Sequence, residues 1–178
     1  MKTNIHAYLC LVTLFTLCSF SACDKDEIKV LPQETQSGKN TFGCMINNKL
    51  FIGGGYYSFI GYSPLSAQYD RVYKRLTISA YNKTDETIAL LLINPLQNAT
   101  QKLSRGTYSN GAADGTHYIV LDGGEIYLTK LDTINKIVSG HFSFTGKYAD
   151  LSDTFIENGD SVKITQGRFD IGLNMSND

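Results

Sequence analysis

Apolar and polar side chains alternate with a period of two through most of the chain after residue 40. The alternation is clear in residues 42–46 (FGCMI) and in residues 75–81 (RLTISAY). Because successive side chains of a strand point to opposite faces, this pattern predicts half-buried β-strands. Asn47-Asn48 follows the first of them and predicts a two-residue hairpin turn. The pattern therefore indicates an all-β domain.

Eight to ten such short segments are separated by Gly, Asn and Asp turns, with no convincing amphipathic helix. This arrangement predicts an antiparallel β-sandwich, and a lipocalin-like β-barrel is the alternative. The continuous apolar run at residues 88–93 (IALLLI) predicts a central strand buried on both faces. Residues 117–121 and 125–131 predict a hairpin, and residues 97–104 could make one short helical turn.

The segment at residues 137–146 (IVSGHFSFTG) predicts a strand with one wet side. One face carries Val138, Gly140, Phe142 and Phe144, and the other carries Ser139, His141, Ser143 and Thr145. Antiparallel sheets often expose one face in this way.

The last predicted strand changes register part of the way along. Val162 and Ile164 occupy even positions, whereas Phe169, Ile171 and Leu173 occupy odd positions. A slip of one residue near Gly167 would bring all five side chains to one face, which predicts a β-bulge there.

Residues 1–22 have a different pattern, which is that of an export signal. Lys2 precedes an apolar run at residues 7–17, and small residues follow before Cys23. The run is too short to span a bilayer. The end of this segment resembles the lipobox of bacterial lipoproteins, although Phe20 stands where Leu is usual. The resemblance implies that Cys23 carries acyl chains such as palmitate and begins the mature protein. The alternative is an ordinary secretory signal cut after Ala22, with Cys23 left as a free thiol.

A charged stretch follows at once: Asp24, Lys25, Asp26 and Glu27. It resembles the signal that sends Bacteroidota lipoproteins to the outer face of the outer membrane, and implies a domain facing the cell exterior. The alternatives are that these charges only solvate a linker, and that the domain faces the periplasm.

Three segments are predicted: a signal peptide at residues 1–22, a lipidated cysteine with a flexible polar tether at residues 23–40, and a single β-domain at residues 41–178. The last is long enough to bury a core without disulfides. Cys10 and Cys18 leave with the signal, so Cys44 has no partner for a disulfide. Its place in the alternating FGCMI segment predicts a small apolar core residue.

Three segments resemble an uncharacterised family of small Bacteroidota lipoproteins: FGCMINNKLF, SGHFSFTG and VKITQGRFDI. Members carry F-x-C-x-I-N-G-x-x-W, S-G-T-F-S-F and V-x-I-T-x-G-x-F in that order. This chain has Asn48, Phe51 and His141 in place of the Gly, Trp and Thr. The resemblance implies an exported β-rich domain and supplies no activity.

The residues offer little reaction chemistry. His117 and His141 lie on predicted strands without a Ser, Cys or carboxylate at a motif spacing, so no catalytic residue is assigned and the protein is expected not to be an enzyme. A catalytic alternative would require one of them beside a carboxylate in a concave pocket. The formal net charge of −1 gives no basic face for nucleic acid.

An acidic loop contains Asp150, Asp153, Glu157 and Asp160, but their spacing matches no calcium motif. A solvated loop is expected, with no metal and no cofactor.

Tyr56, Tyr57 and Tyr62 are the candidate ligand contacts, because tyrosine combines apolar area with a hydroxyl and suits recognition surfaces. The alternative is that they only cover the sheet, and the lack of Trp argues against a sugar platform. Thr133 and Ser161 lie in triplets that resemble the Asp-Ser/Thr-apolar acceptor of Bacteroidota O-glycosylation.

The sequence thus predicts a non-catalytic, lipid-anchored outer-membrane protein that binds a glycan, a host molecule or a partner protein. The alternative is a periplasm-facing accessory subunit of an outer-membrane complex.

Overall fold

The structure, a computed structural model, describes residues 30–54, 63–111, 117–150, 154–156 and 159–176. These residues form nine β-strands and no helix, so none of them belongs to a helix that could cross a membrane. The strands are β1 (Thr41–Ile46), β2 (Lys49–Gly53), β3 (Leu65–Asp70), β4 (Arg75–Tyr81), β5 (Thr87–Ile93), β6 (Thr100–Ser109), β7 (His117–Asp132), β8 (Ile137–Ala149) and β9 (Ser161–Ser176). The prediction of an all-β domain is confirmed.

All nine strands belong to one sheet, in the order β2-β1-β9-β3-β4-β5-β6-β7-β8, and β8 also pairs with β9. Seven strands, from β9 through β3 to β8, therefore close into a hydrogen-bonded ring. The β1–β2 hairpin lies along the same edge of β9 as β3, and Gly54 N at its end donates to Tyr81 O of β4 (2.9 Å). Neighbouring strands are antiparallel except β3 with β9. A closed ring of this kind fits both the sandwich and the barrel-like description.

The interior of the ring holds a single hydrophobic core built from alternate residues of the strands. Leu76, Ile78 and Ala80 of β4 are fully buried. Cys44 is buried and free, as predicted for a core residue, and burial raises the pKa of its thiol, with the Glu86 carboxylate adding to the effect. The thiol is thus held in its neutral form, which is not nucleophilic.

Two local predictions are confirmed at the β1–β2 hairpin and in β9. Asn47 and Asn48 have φ angles of 46° and 68°, as a type I′ turn requires. In β9, the pairing with β1 and with β8 shifts by one residue around Gln166 and Gly167. Gln166 adopts a φ of 53°, and this bulge returns Phe169 to the buried face.

Three other local predictions are wrong. β5 is buried on one face only, with Ile88, Leu90 and Leu92 inside the ring, because none of the described strands forms a second layer over its outer face. Residues 97–104 form no helical turn: Gln97 bridges to β7 and β6 begins at Thr100.

The predicted hairpin at residues 117–131 is also wrong, because these residues belong to the single long strand β7. Asp122-Gly123-Gly124 forms an irregularity in its pairing with β8 instead of a turn. Gly124 has a φ of 71°, and a β-carbon there would lie 2.5 Å from Phe144 Cβ. Glycine is therefore required at position 124 by a bulge inside the strand. A short glycine-containing segment in a sequence is compatible with either a bulge or a hairpin turn, so the pattern alone does not distinguish the two.

Residues 30–40 lie along the outer face of β8 and β9, although they were predicted to belong to a flexible tether. Pro32 packs over Gly43, where a β-carbon would come within 2.6 Å of Pro32 Cδ. Farther along, Asn40 Oδ1 accepts from Gly172 N (3.0 Å). The predicted wet face of β8 is confirmed at His141, Ser143 and Thr145, which are partly or fully exposed. It is wrong only at Ser139, which is fully buried because the N-terminal segment covers it.

Candidate ligand-binding groove

Three outward-facing side chains line up across β7, β8 and β9. Tyr127 pairs with His141, and His141 pairs with Arg168. The Tyr127 and His141 rings lie 6.4 Å apart between centroids. Directly paired residues of neighbouring strands project to the same face of a sheet, so the register fixes this row. The backbone thus presents a phenol, an imidazole and a guanidinium side by side.

The N-terminal segment adds a carboxylate above this row. Glu34 Oε1 lies 3.5 Å from His141 Nδ1 and 3.7 Å from Arg168 Nη1. Arg168 Nη1 also donates to Pro32 O (3.3 Å). The Glu34 side chain is 55% exposed, whereas the Arg168 side chain is 26% exposed. The Glu34 carboxylate therefore lies on the solvent side of the His141 imidazole and the Arg168 guanidinium.

Asp170 holds the N-terminal segment in place. Its carboxylate, on a residue only 1% exposed, accepts hydrogen bonds from Thr35 Oγ1 (2.5 Å) and Ser139 Oγ (2.7 Å). It also accepts from three backbone N–H groups, those of Ser37, Gly38 and Lys39. Burial raises the pKa of Asp170, but these hydrogen bonds outweigh burial and lower the pKa to about 2. The anion is thus fully satisfied, as a buried charge must be.

A groove opens on each side of the Glu34–His141–Arg168 cluster. The larger compartment, about 370 Å³, runs over the β9 bulge, and its wall includes Glu125, Tyr127, Ser143 and Gln166. The smaller compartment, about 190 Å³, lies between the N-terminal segment and Thr129. Glu34, His141 and Arg168 border both compartments. We refer to the two compartments together as the outer groove.

The outer groove can form many directed hydrogen bonds around one aromatic ring. Carboxylates accept, the guanidinium donates, and hydroxyl, amide and imidazole groups can do either. His141 does lie beside a carboxylate in a concave site, which is the arrangement that a catalytic alternative requires. Among the described residues, however, no Ser, Thr or Cys side chain is hydrogen-bonded to this imidazole, whose contacts are with Glu34 and the Tyr127 ring. The hydrogen-bonding groups and the aromatic ring of the outer groove suit the binding of a polar ligand.

A second polar cluster lies at the β4–β5 turn and has a structural role. The Glu86 carboxylate accepts from Tyr108 Oη (2.7 Å), Asn82 Nδ2 (2.6 Å) and Thr84 Oγ1 (3.1 Å). Burial raises the pKa of Glu86, but these hydrogen bonds and nearby Lys49 outweigh burial and lower the pKa. The pKa of Tyr108 is raised by burial and by the same carboxylate. The cluster closes one end of the core.

Most residues predicted to carry function lie outside the described residues: Cys23, Asp24, Lys25, Asp26, Glu27, Tyr56, Tyr57 and Tyr62. Of the two predicted O-glycosylation acceptors, Thr133 lies half-buried in the β7–β8 turn, and Ser161 is the exposed first residue of β9. In the described part of the chain, no three His, Cys, Asp or Glu side chains are grouped closely enough to hold a metal ion.

Sequence reasoning singled out His141 but missed its neighbours in the outer groove. Tyr127 and Arg168 could have been found once β7, β8 and β9 were paired in register, since all three residues then share a face. Glu34 carries no such signal, because its segment has no periodic pattern and reaches His141 only through the contacts around Asp170. Comparison with protein families, curated proteins and solved structures finds no match for this chain.

Proposed function

We propose that the protein is an exported lipoprotein that binds a glycan in the outer groove without chemically changing it. In this proposal acyl chains on Cys23 hold it in the outer membrane, with the β-domain toward the cell exterior. The observation that supports a binding role is the outer groove itself, a concave site on the sheet surface with convergent polar groups. Two or more acyl chains would make the anchor firm.

A glycan suits the chemistry of this groove. Sugars present hydroxyls that donate and accept, and the groove offers Glu125, Ser143, Gln166 and Arg168 for such bonds. The Tyr127 ring, beside them, supplies apolar area for the face of a sugar ring. Tyr127 thus joins Tyr56, Tyr57 and Tyr62, which stay predicted ligand contacts, as a candidate for this role.

Binding is tested by titrating the unlipidated mature chain with a panel of oligosaccharides by calorimetry. We expect at least one oligosaccharide to bind, and Arg168→Gln to weaken it about tenfold or more, since the lost hydrogen bonds to a charged group are worth about 1.5–3 kcal/mol. Arg75→Gln is the matched control, because Arg75 is an outward arginine of β4 that pairs with Asp70. Binding to none of the panel, or equal loss in the two variants, would refute the proposal.

The anchor and the orientation are tested in cells. Metabolic labelling with a palmitate analogue should mark the wild-type chain and leave Cys23→Ala unlabelled and released from membranes. Protease added to intact cells should cut an outward-facing domain, whereas a periplasm-facing domain would survive until the outer membrane is opened. Labelling of Cys23→Ala to the wild-type level would refute lipidation at this residue.

The second candidate function, a periplasm-facing accessory subunit, is favoured by a different surface. The β3–β4, β5–β6 and β7–β8 turns share one end of the ring, and Asn94 N donates to Lys74 O across two of them (2.7 Å). This end exposes large apolar side chains: Val72, Tyr73, Leu96 and Ile134. Exposed apolar clusters are typical of protein–protein contacts.

The basic side chains Arg71, Lys74 and Lys136 stand among these apolar tips, so an acidic face of an outer-membrane complex is the partner that fits them. Residues 32–40 run toward this end, from Pro32 over Gly43 to Asn40 beside Gly172. Val72→Asp combined with Ile134→Asp should then abolish co-purification with that complex, and Arg168→Gln should leave it intact. The reverse pattern would refute this candidate.

A further inference from the structure

We propose that the outer groove selects sugars that carry a carboxylate, such as uronic or sialic acids, and that Glu34 holds the place of that carboxylate when no ligand is bound. This inference rests on the proposed glycan-binding function and adds the ligand class. It assigns Arg168 and His141 as the residues that recognise the acid group. It also makes Glu34 a competitor of the ligand instead of a ligand contact.

The distances within the cluster support displacement. Charge-assisted N–H···O bonds are about 2.7–2.9 Å long, whereas Glu34 lies 3.5 Å from His141 and 3.7 Å from Arg168. Its side chain is also more than half exposed, so water screens the two ion pairs, and exposed ion pairs of this kind contribute little to stability. A ligand carboxylate placed at bonding distance would replace weak contacts with strong ones.

The attachment of the N-terminal segment allows Glu34 to leave without unfolding anything. The hydrogen bonds to Asp170 come from Thr35, Ser37, Gly38 and Lys39, all of which follow Glu34 in the chain. Before Glu34, Pro32 stays packed over Gly43 and accepts from Arg168 at 3.3 Å, so only the Glu34 side chain needs to rotate away. Because Glu34 borders both compartments, rotation of its side chain would widen the opening of both around His141 and Arg168.

The chemistry of the groove favours a carboxylate over a phosphate. A guanidinium presents parallel N–H groups that match the oxygens of a carboxylate or of a phosphate, so the charges of the surrounding wall decide between the two. The Glu125 carboxylate lines the larger compartment and would repel a doubly charged group more than a singly charged one. Ser143 and Tyr127, in the same wall, remain available for the hydroxyls and the ring of the sugar.

The experiment compares acidic oligosaccharides with their methyl esters, which keep the sugar and remove the charge. Calorimetry with the unlipidated mature chain should show that each acidic oligosaccharide that binds has a dissociation constant at least about tenfold lower than that of its methyl ester. This difference corresponds to about 1.4 kcal/mol. Glu34→Gln should tighten acid binding several-fold because the competitor is gone. Glu125→Gln, which removes the same charge from the wall without freeing Arg168, should tighten it less.

Each outcome decides between the proposals. If esters bind as tightly as acids and Arg168→Gln still weakens both, the groove binds glycans but the carboxylate inference is wrong. If Glu34→Gln weakens binding, Glu34 is a ligand contact and its assignment as a competitor is wrong. If no oligosaccharide binds, the proposed function itself fails. Thermal melting of each variant, which should match the wild type, shows that the fold is intact.

Discussion

The Thr35 hydroxyl donates a 2.5 Å hydrogen bond to the Asp170 carboxylate, although the two residues are 135 positions apart in the chain. This bond and those from the backbone N–H groups of Ser37, Gly38 and Lys39 attach the N-terminal segment to β9. The attachment places Glu34 over His141 and Arg168, so the outer groove depends on a contact far from any recognisable motif.

Replacement of Asp170 by Asn should destabilise the domain, because the neutral amide accepts more weakly and its NH₂ group faces donors. Hydrogen bonds to a charged group contribute about 1.5–3 kcal/mol each, so we expect a loss of about 3 kcal/mol in the free energy of unfolding. Urea denaturation measures it. Asp132→Asn is the control, since that carboxylate accepts similar bonds in the exposed β7–β8 turn and its loss should be much smaller. Equal losses would contradict the account.

The stability of the domain should depend on pH through Asp170. The folded pKa is about 2, below the ordinary value of 3.8, so the folded state binds the proton less readily than the unfolded state. The contribution is complete above about pH 4 and is lost as the pH falls toward 2, in total about 2 kcal/mol. The lowered pKa of Glu86 also makes the domain less stable as the pH falls. This effect is present in both wild type and Asp170→Asn, so it cancels when their unfolding free energies are subtracted. The difference between their unfolding free energies should shrink as the pH falls from 5 to 2.

Gly167→Ala should be costly, whereas Gly172→Ala should be tolerated. A β-carbon at Gly167 would lie 2.5 Å from the buried Phe142 ring, which has no room to move. At Gly172 the nearest atom, Asn40 Oδ1, would be 3.5 Å away. Overpacking of a core costs about 1–3 kcal/mol, and thermal melting of both variants measures the contrast. Similar melting temperatures for the two variants would show that the bulge does not pack as described.

Tyr108→Phe should destabilise the β4–β5 end of the core by about 2 kcal/mol, the value of a hydrogen bond to a charged group. The change removes the buried bond from Tyr108 Oη to Glu86, and the pKa of Glu86 should rise. Tyr118→Phe is the control, since this ring stacks on Tyr108 with 5.9 Å between centroids. Urea denaturation that ranks Tyr118→Phe as the more harmful change would contradict this assignment.

The alternation of apolar residues predicted most of the strands, and the change of register in residues 162–173 predicted the β9 bulge. Both are local properties of the sequence. Two strand predictions were wrong for reasons that lie outside the segment itself. At residues 88–93, burial of the second face depends on whether another layer covers the strand. At residues 117–131, the difference between a turn and a bulge depends on how the neighbouring strand pairs.

The outer groove was less accessible to prediction. Its walls come from strands whose register only the closed sheet defines, and its carboxylate comes from a segment expected to be a tether. Ser139 illustrates the reason: its alternation with apolar residues indicated a wet face, yet contacts with Asp170 bury it. Long-range hydrogen bonds of this kind leave no periodic trace in a sequence.

The most direct test of the account is an amide-resonance titration of the unlipidated mature chain with an oligosaccharide that calorimetry has shown to bind. If the outer groove binds the oligosaccharide, the shifted resonances should cluster at Tyr127, His141, Gly167 and Arg168. Shifts confined to the turns at residues 71–74, 94–99 and 133–136, with the groove unchanged, would contradict it.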